Sequence, residues 1–223
     1  MESFRFLEAM KPLFLHSPAN SEYLKGHHIA LAGRDVNCDD WTEDEQIGGI
    51  ADYGSTFSVI GVGGDVRAAE KASVYIPRDV ICHSGGNSSK AFFIAYRNPK
   101  FFNVDKTDTS QLRNADSQEV NRCAFGNLLA DGRVFTATLL QGNSTISRYS
   151  RNGVNQTMVI LRYSKKTYAE PLHGKFGVSH YTMRSGWSNE LCDVFTSADG
   201  KYFESSCQHL TDFTLLVVSS LIT

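Results

Sequence analysis

Along most of the chain, apolar and polar positions alternate with a period of two, in short runs broken by Gly, Asn, Asp and Ser. Such runs mark half-buried strands separated by turns. The pattern predicts strands over residues 28–32, 56–62, 72–76, 91–96, 133–140, 157–163, 177–183, 191–196, 201–204 and 213–218. Strands of that number and spacing imply an all-β sandwich. The first stretch differs. Phe4, Leu7, Met10 and Phe14 recur at near-helical spacing, which predicts a short amphipathic helix over residues 3–15, interrupted near Pro12. Residues 17–25, with Pro18, Asn20 and Ser21, read as a connector. The expected organisation is therefore a helical segment and connector over residues 1–25, followed by a sandwich over 26–223. The acidic stretch from Asp35 to Glu45 reads as a solvated loop, because it lacks the alternating acids and the Gly of an EF-hand. Residues 106–121 are polar and aperiodic and read as a surface excursion.

Composition narrows the function classes. At 223 residues the chain is one domain of ordinary size. Its 22 Lys and Arg against 24 Asp and Glu leave a net charge of −2, with a pI near 6.4. A domain that grips nucleic acid by its phosphates is normally basic, so no nucleic-acid partner is expected. No apolar run approaches the roughly 18 residues needed to span a bilayer. The first residues do not form a signal peptide, which leaves a cytosolic chain or a piece of a larger secreted or membrane protein. Five cysteines allow at most two bridges and leave one thiol over. No Cys or His pair has zinc spacing, so no metal site is expected.

Several motifs fail. Gly61-Val62-Gly63-Gly64 suggests a dinucleotide loop, but Val66 stands where the third Gly belongs and no helix follows. Turn chemistry explains it better. With no phosphate-binding loop and no Gly-x-Ser-x-Gly, neither a small-molecule cofactor nor a conventional hydrolase is expected. Asn87, Asn143 and Asn155 each open an Asn-x-Ser/Thr triplet in or beside a predicted turn, and are glycosylation candidates.

One constellation does not fail. Residues 205–217 read Ser-Ser-Cys-Gln-His-Leu-Thr-Asp-Phe-Thr-Leu-Leu-Val. The Thr211 hydroxyl lies on the amide side of the Leu210–Thr211 bond and can reach the Leu210 carbonyl carbon through a five-membered ring. His209, two residues before Thr211, falls on the same face of an extended chain. A straight strand leaves them too far apart for proton transfer at about 2.6–3.2 Å, and a kink at Leu210 would close the gap. Nucleophile, base and acyl group then fit within three residues. A bare His-Leu-Thr is ordinary strand sequence, and only its surroundings raise it above that. Gly186-Trp187-Ser188 precedes it, Cys192 and Cys207 flank it 15 positions apart, and an apolar strand follows.

That combination resembles the G-protein-coupled-receptor proteolysis site, the C-terminal part of the GAIN domain of adhesion receptors and polycystin-like proteins. The family pattern runs roughly G-G-W-S, x-x-G-C, a spacer, then C-x-C-x-H-L-T-x-F-x-x-L. Trp187, Ser188, Cys192, Cys207, His209, Leu210, Thr211, Phe213 and Leu216 match it, over residues 177–218. Weaker likeness extends to residues 74–77, 90–102 and 154–163, and none is visible earlier. The family usually carries four cysteines here. Ser205 replaces one, its partner is also missing, and both members of the other pair, Cys192 and Cys207, are kept. The resemblance implies a bridge between them, worth roughly 3 kcal/mol on a chain-entropy basis. Cys38, Cys82 and Cys123 offer no choice of pair.

The resemblance further implies a twisted β-sandwich of the GAIN subdomain B type on the extracellular face of the plasma membrane, within a larger membrane protein. The module would cleave itself between Leu210 and Thr211 and keep its last strand bound. Thr211, Phe213, Leu215, Leu216 and Val217 would form that strand, a tethered ligand for a downstream transmembrane domain. The alternative is a non-cleaving adhesion module that keeps the motif as packing sequence.

Overall fold

The structure, a computed structural model, describes residues 21–25, 29–39, 47–51, 57–58, 72–83, 88–96, 102, 128–130, 134–164, 177–182, 186–188 and 190–218. The helix expected over residues 3–15, the aperiodic stretch 106–121, Asn87 and Cys123 lie outside them. The described strands form two antiparallel sheets and one small hairpin. In the first sheet, β1 (Ser21–Lys25), β2 (Ile29–Asn37), β6 (Ser88–Tyr96), β8 (Val134–Gln141), β17 (Asp212–Val218), β13 (Gly177–Thr182) and β14 (Gly186–Ser188) follow one another in that order. The short strands β7 (Leu128–Ala130) and β9 (Ser144–Ile146) pair with β17 and β8. In the second sheet the order is β15 (Cys192–Thr196), β16 (Tyr202–Cys207), β12 (Val159–Ser164), β5 (Ala72–Ile76), β3 (Ile47–Ala51) and β4 (Phe57–Ser58). The hairpin joins β10 (Ser150–Arg151) to β11 (Val154–Asn155). One helical turn, α1 (Arg78–His83), follows Pro77.

The protein is a β-sandwich, mainly β as its alternation predicts. On β12, buried Val159, Leu161 and Tyr163 alternate with partly exposed Ile160 and Arg162. Phe93, Ala95, Phe135, Ala137, Leu139, Phe213 and Leu215 of the first sheet meet Val74, Ile76, Leu161, Tyr163 and Phe203 of the second in one core. Sheets that pack face to face bury alternate residues of each strand. The first sheet goes further, because Phe92, Ile94 and Tyr96 on its other face are buried as well. A sheet covered on both faces reads as a continuous apolar run, as residues 91–96 do.

Three expectations change. Residues 21–25 form an edge strand rather than a connector. An edge strand is held by its ladder to β2, and five residues with an irregular register carry no clear period. The acidic loop begins later than expected, because Asp35, Val36 and Asn37 extend β2. Asp35 faces Lys90 across the β2–β6 ladder, with a carboxylate oxygen 3.4 Å from Nζ. The strand expected over 201–204 runs on to Cys207. The short strands β9 to β11 escape the pattern because two or three residues cannot show a period. Their turns are legible afterwards. Gly142, at φ +55°, supports the two-residue turn between β8 and β9, and Asn152-Gly153, at +54° and +77°, supports the one between β10 and β11.

Candidate functional site

β16 ends in the second sheet at Cys207, and β17 starts in the first at Asp212. Residues 208–211 therefore cross the sandwich from one sheet to the other. They do not continue a strand: the chain bends through them, which departs from the straight extension considered above. None of the four has a left-handed φ.

Four backbone groups in and beside this crossover are tied to different neighbours. Met158 N–H donates to the Cys207 carbonyl at 2.8 Å, and Gln208 N–H to that of Leu191 at 2.9 Å. Leu210 N–H donates to the Ser147 carbonyl at 2.9 Å, whereas the Thr211 carbonyl accepts from Ala137 N–H at 3.2 Å. The Leu210–Thr211 bond is thus flanked upstream by the segment after β9 and downstream by β8. The side chains differ in depth. Leu210 belongs to the sandwich core, His209 is buried with its ring 5.6 Å from that of Phe213, and Thr211 is half-buried.

Two bridges brace the surroundings. Cys192 and Cys207, opposite each other in the β15–β16 ladder, are bonded, with Cα atoms 4.1 Å apart. Cys38 and Cys82, for which the sequence offered no choice of pair, are bonded too, tying the end of β2 to α1. Ser205, where the family pattern has a further cysteine, is fully buried with Oγ 3.6 Å from the Cys207 sulfur. Arg162 holds β16 to β12 by donating from Nε to Glu204 Oε1 at 2.6 Å, and lies 4.3 Å over the Tyr202 ring.

The strand after the crossover is internal to its sheet. β17 pairs with β8 and β7 on one side and with β13 on the other. Phe213, Thr214 and Leu215 have no exposed surface. Asn143 and Asn155 sit exposed in or beside the two hairpin turns.

Leu191 is unusual. Its φ of +61° places it in the left-handed region, at the position where the family pattern has glycine before the cysteine. That conformation costs an L-residue roughly 1–2 kcal/mol, partly offset by the greater freedom glycine has when unfolded. Leu191→Gly is expected to stabilise the chain by up to about 1 kcal/mol, read as a higher urea midpoint at unchanged slope. A lower midpoint would show that the Leu191 side chain contributes more than its backbone costs.

Sequence reasoning missed Thr136, Tyr96 and Ser147, which the fold brings to the crossover. The Thr136 hydroxyl donates to Asp212 Oδ1 although the two are 76 residues apart. Tyr96 lies near the same group: burial first, then the charge of Asp212, push its phenol pKa up, and the nearby Thr136 hydroxyl opposes them. Burial likewise pushes the Asp212 carboxyl up to about 6, against the pull of the Thr136 hydroxyl. No local signal marks any of these residues. Among the described residues, no group of three or more His, Cys, Asp and Glu could hold a metal ion.

A sandwich whose penultimate strand crosses to a buried last strand through a bridged Cys-x-His-Leu-Thr is the form of a GAIN subdomain B. The chain matches that family, GPS: GAIN subdomain B, over residues 34–221, and belongs to it. The match begins well before residue 74, where the likeness of individual segments had faded. Among solved structures, the full extracellular region of zebrafish Gpr126/Adgrg6 is similar, with a TM-score of 0.52 and 14% identity. The similarity covers 92% of this chain but only 25% of that one, and at this identity it speaks for the fold alone. A comparison with curated proteins found no match. No helix among the described residues is long and apolar enough to cross a membrane.

Proposed function

We propose that the chain is an extracellular self-processing module of a larger membrane protein, which cuts itself between Leu210 and Thr211. The observation that carries this reading is the place of the bond: it lies in the crossover between the sheets, so cutting it leaves one fragment with strands in both sheets and the other held as β17 between β8 and β13 of the first. His209 takes the Thr211 hydroxyl proton as Oγ attacks the Leu210 carbonyl carbon. The Leu210–Thr211 C–N bond then breaks, the proton passes to the leaving amine, and an ester joins Leu210 to Thr211 Oγ. Water hydrolyses that ester, leaving a Leu210 carboxylate and restoring the Thr211 hydroxyl beside a free α-amine. The reaction is a single turnover on the chain itself.

After the cut, β17 stays in the sheet as a concealed ligand, with Phe213 and Leu216 as anchors, for a transmembrane domain downstream. The test is an intact mass measured under denaturing conditions after long incubation at neutral pH. Two masses, for residues 1–210 and for the fragment beginning at Thr211, are expected. One uncut mass would make the chain a non-cleaving member of its family.

Extracellular placement carries a second expectation. Asn143 and Asn155 are both exposed, and Ser150 Oγ donates to Asn155 Oδ1 at 2.6 Å, which leaves the amide nitrogen that a glycan would take. Secretion from a glycosylating host should yield a mass that falls on glycosidase treatment, by less in Asn143→Gln. An unmodified secreted chain would remove these sites.

A further inference from the structure

The residue after the cleavage threonine carries a carboxyl for which the acyl shift has no use. Asp212 stands opposite Thr136 in the β17–β8 ladder and accepts its hydroxyl. Tyr96, at the end of β6, lies near them on the neighbouring strand. Their neighbours Ala95, Phe135 and Phe213 all point into the sandwich core, so the three side chains lie on the opposite face of the sheet. That face is sealed there too. Phe102 and Trp187 are buried, with the Phe102 ring 5.2 Å from that of Tyr96 and 5.6 Å from that of Trp187. The carboxyl, partly buried, therefore accepts the Thr136 hydroxyl on a face lined by aromatic rings. β8 offers it Thr136, β6 offers Tyr96, and among the described residues no cation faces it.

We propose that Asp212 is a positioning residue: with Thr136, and beside Tyr96, it forms a clasp that holds the head of β17 in register beside the Leu210–Thr211 bond, gripping firmly when the carboxyl is neutral and slackening when it ionises. The reason is desolvation. A buried carboxylate without a cation is disfavoured, whereas a protonated one exchanges hydrogen bonds with hydroxyls at little cost. Folding raises the Asp212 pKa from its ordinary 3.8 to about 6. The folded state thus prefers the proton, so the grip is full below about pH 4, falls as the pH rises through 6, and then levels off. The whole shift corresponds to roughly 10² in the folding equilibrium, of which about tenfold falls between pH 5 and pH 7.5.

The first test does not depend on cleavage. In full-length Thr211→Ala, the urea-unfolding equilibrium constant is measured at pH 5.0 and 7.5, with and without Asp212→Asn. The chain that keeps Asp212 is expected to lose about tenfold more between the two pH values than the chain carrying Asp212→Asn. Thr136→Val, which removes the hydroxyl that pulls the pKa down, should steepen the loss. Parallel pH profiles with and without Asp212→Asn would overturn the clasp, as would a carboxyl carbon resonance of Asp212 titrating near pH 4 in the folded chain. Should Asp212→Asn fail to fold, that resonance alone decides. A second test rests on the self-cleavage proposed above. In cut protein, the fragment beginning at Thr211 should leave about tenfold faster at pH 7.5 than at pH 5.0, and equal rates would again count against the clasp. An uncut mass would sink the cleavage reading and leave the first test standing.

Discussion

Thr211→Ala is expected to yield a single uncut mass under conditions where the unaltered chain gives two. Without the hydroxyl there is no nucleophile, and nothing else in the crossover replaces it. Thr211→Ser keeps the hydroxyl and should retain partial cutting. His209→Ala leaves the nucleophile but removes its base, and general-base assistance is worth about 10²–10⁴ in rate. Cutting should then stretch from its normal course to days. If His209→Ala cuts as fast as the unaltered chain, another group, or water, takes the proton. The two Thr211 variants should keep the fold, because Thr211 is half-buried and the backbone bonds at Leu210 and Thr211 do not depend on its side chain. His209 is buried against Phe213, so the urea midpoint of His209→Ala is measured alongside its cutting rate.

The second large effect is expected at Phe213. It is fully buried in the sandwich core, opposite Phe135 in the ladder, with the His209 ring 5.6 Å away. Truncating such a ring costs about 3–5 kcal/mol, from lost transfer energy and the cavity left behind. In uncut Thr211→Ala the added Phe213→Ala change should lower stability by that amount, a large share of the 5–15 kcal/mol typical of a domain. In cut protein the same cost falls on strand retention, where it corresponds to at least about 10²-fold. Gel filtration should then separate the last fragment from residues 1–210, although the unaltered cut protein elutes as one peak. Phe195, the other side of the comparison, is 42% exposed on an edge strand, and Phe195→Ala should change stability by about 0.5 kcal/mol or less. If the two substitutions cost the same, the burial of β17 is not what holds it.

How much of this was legible depended on distance along the chain. Residues 72–76, 91–96 and 213–218 announced themselves as strands, because a largely apolar run persists over five or more positions between turn residues. β1, β3, β7, β9 to β11 and β14 did not: β1 has an irregular register, β3 carries Gly48 and Gly49, and the others are two or three residues long. The triplet His209-Leu210-Thr211 could be picked out because its members are contiguous and a five-membered ring needs no distant partner. The pairing of Cys192 with Cys207 came with the family pattern. That of Cys38 with Cys82 needed the fold, which alone sets the end of β2 against α1.

What the sequence by itself determined was the fold class and the family, and it marked the bond proposed to be cut, since periodicity and a contiguous motif are properties of neighbours in the chain. The tertiary structure decided everything that depends on register. It placed the bond at the crossover of two sheets, set β17 between β8 and β13 rather than at an edge, and brought Ser147, Thr136 and Tyr96 to the residues on either side of the bond. Residues on distant strands meet only when a ladder aligns them, and a shift of one position would turn Thr136 into the core and Phe135 towards Asp212.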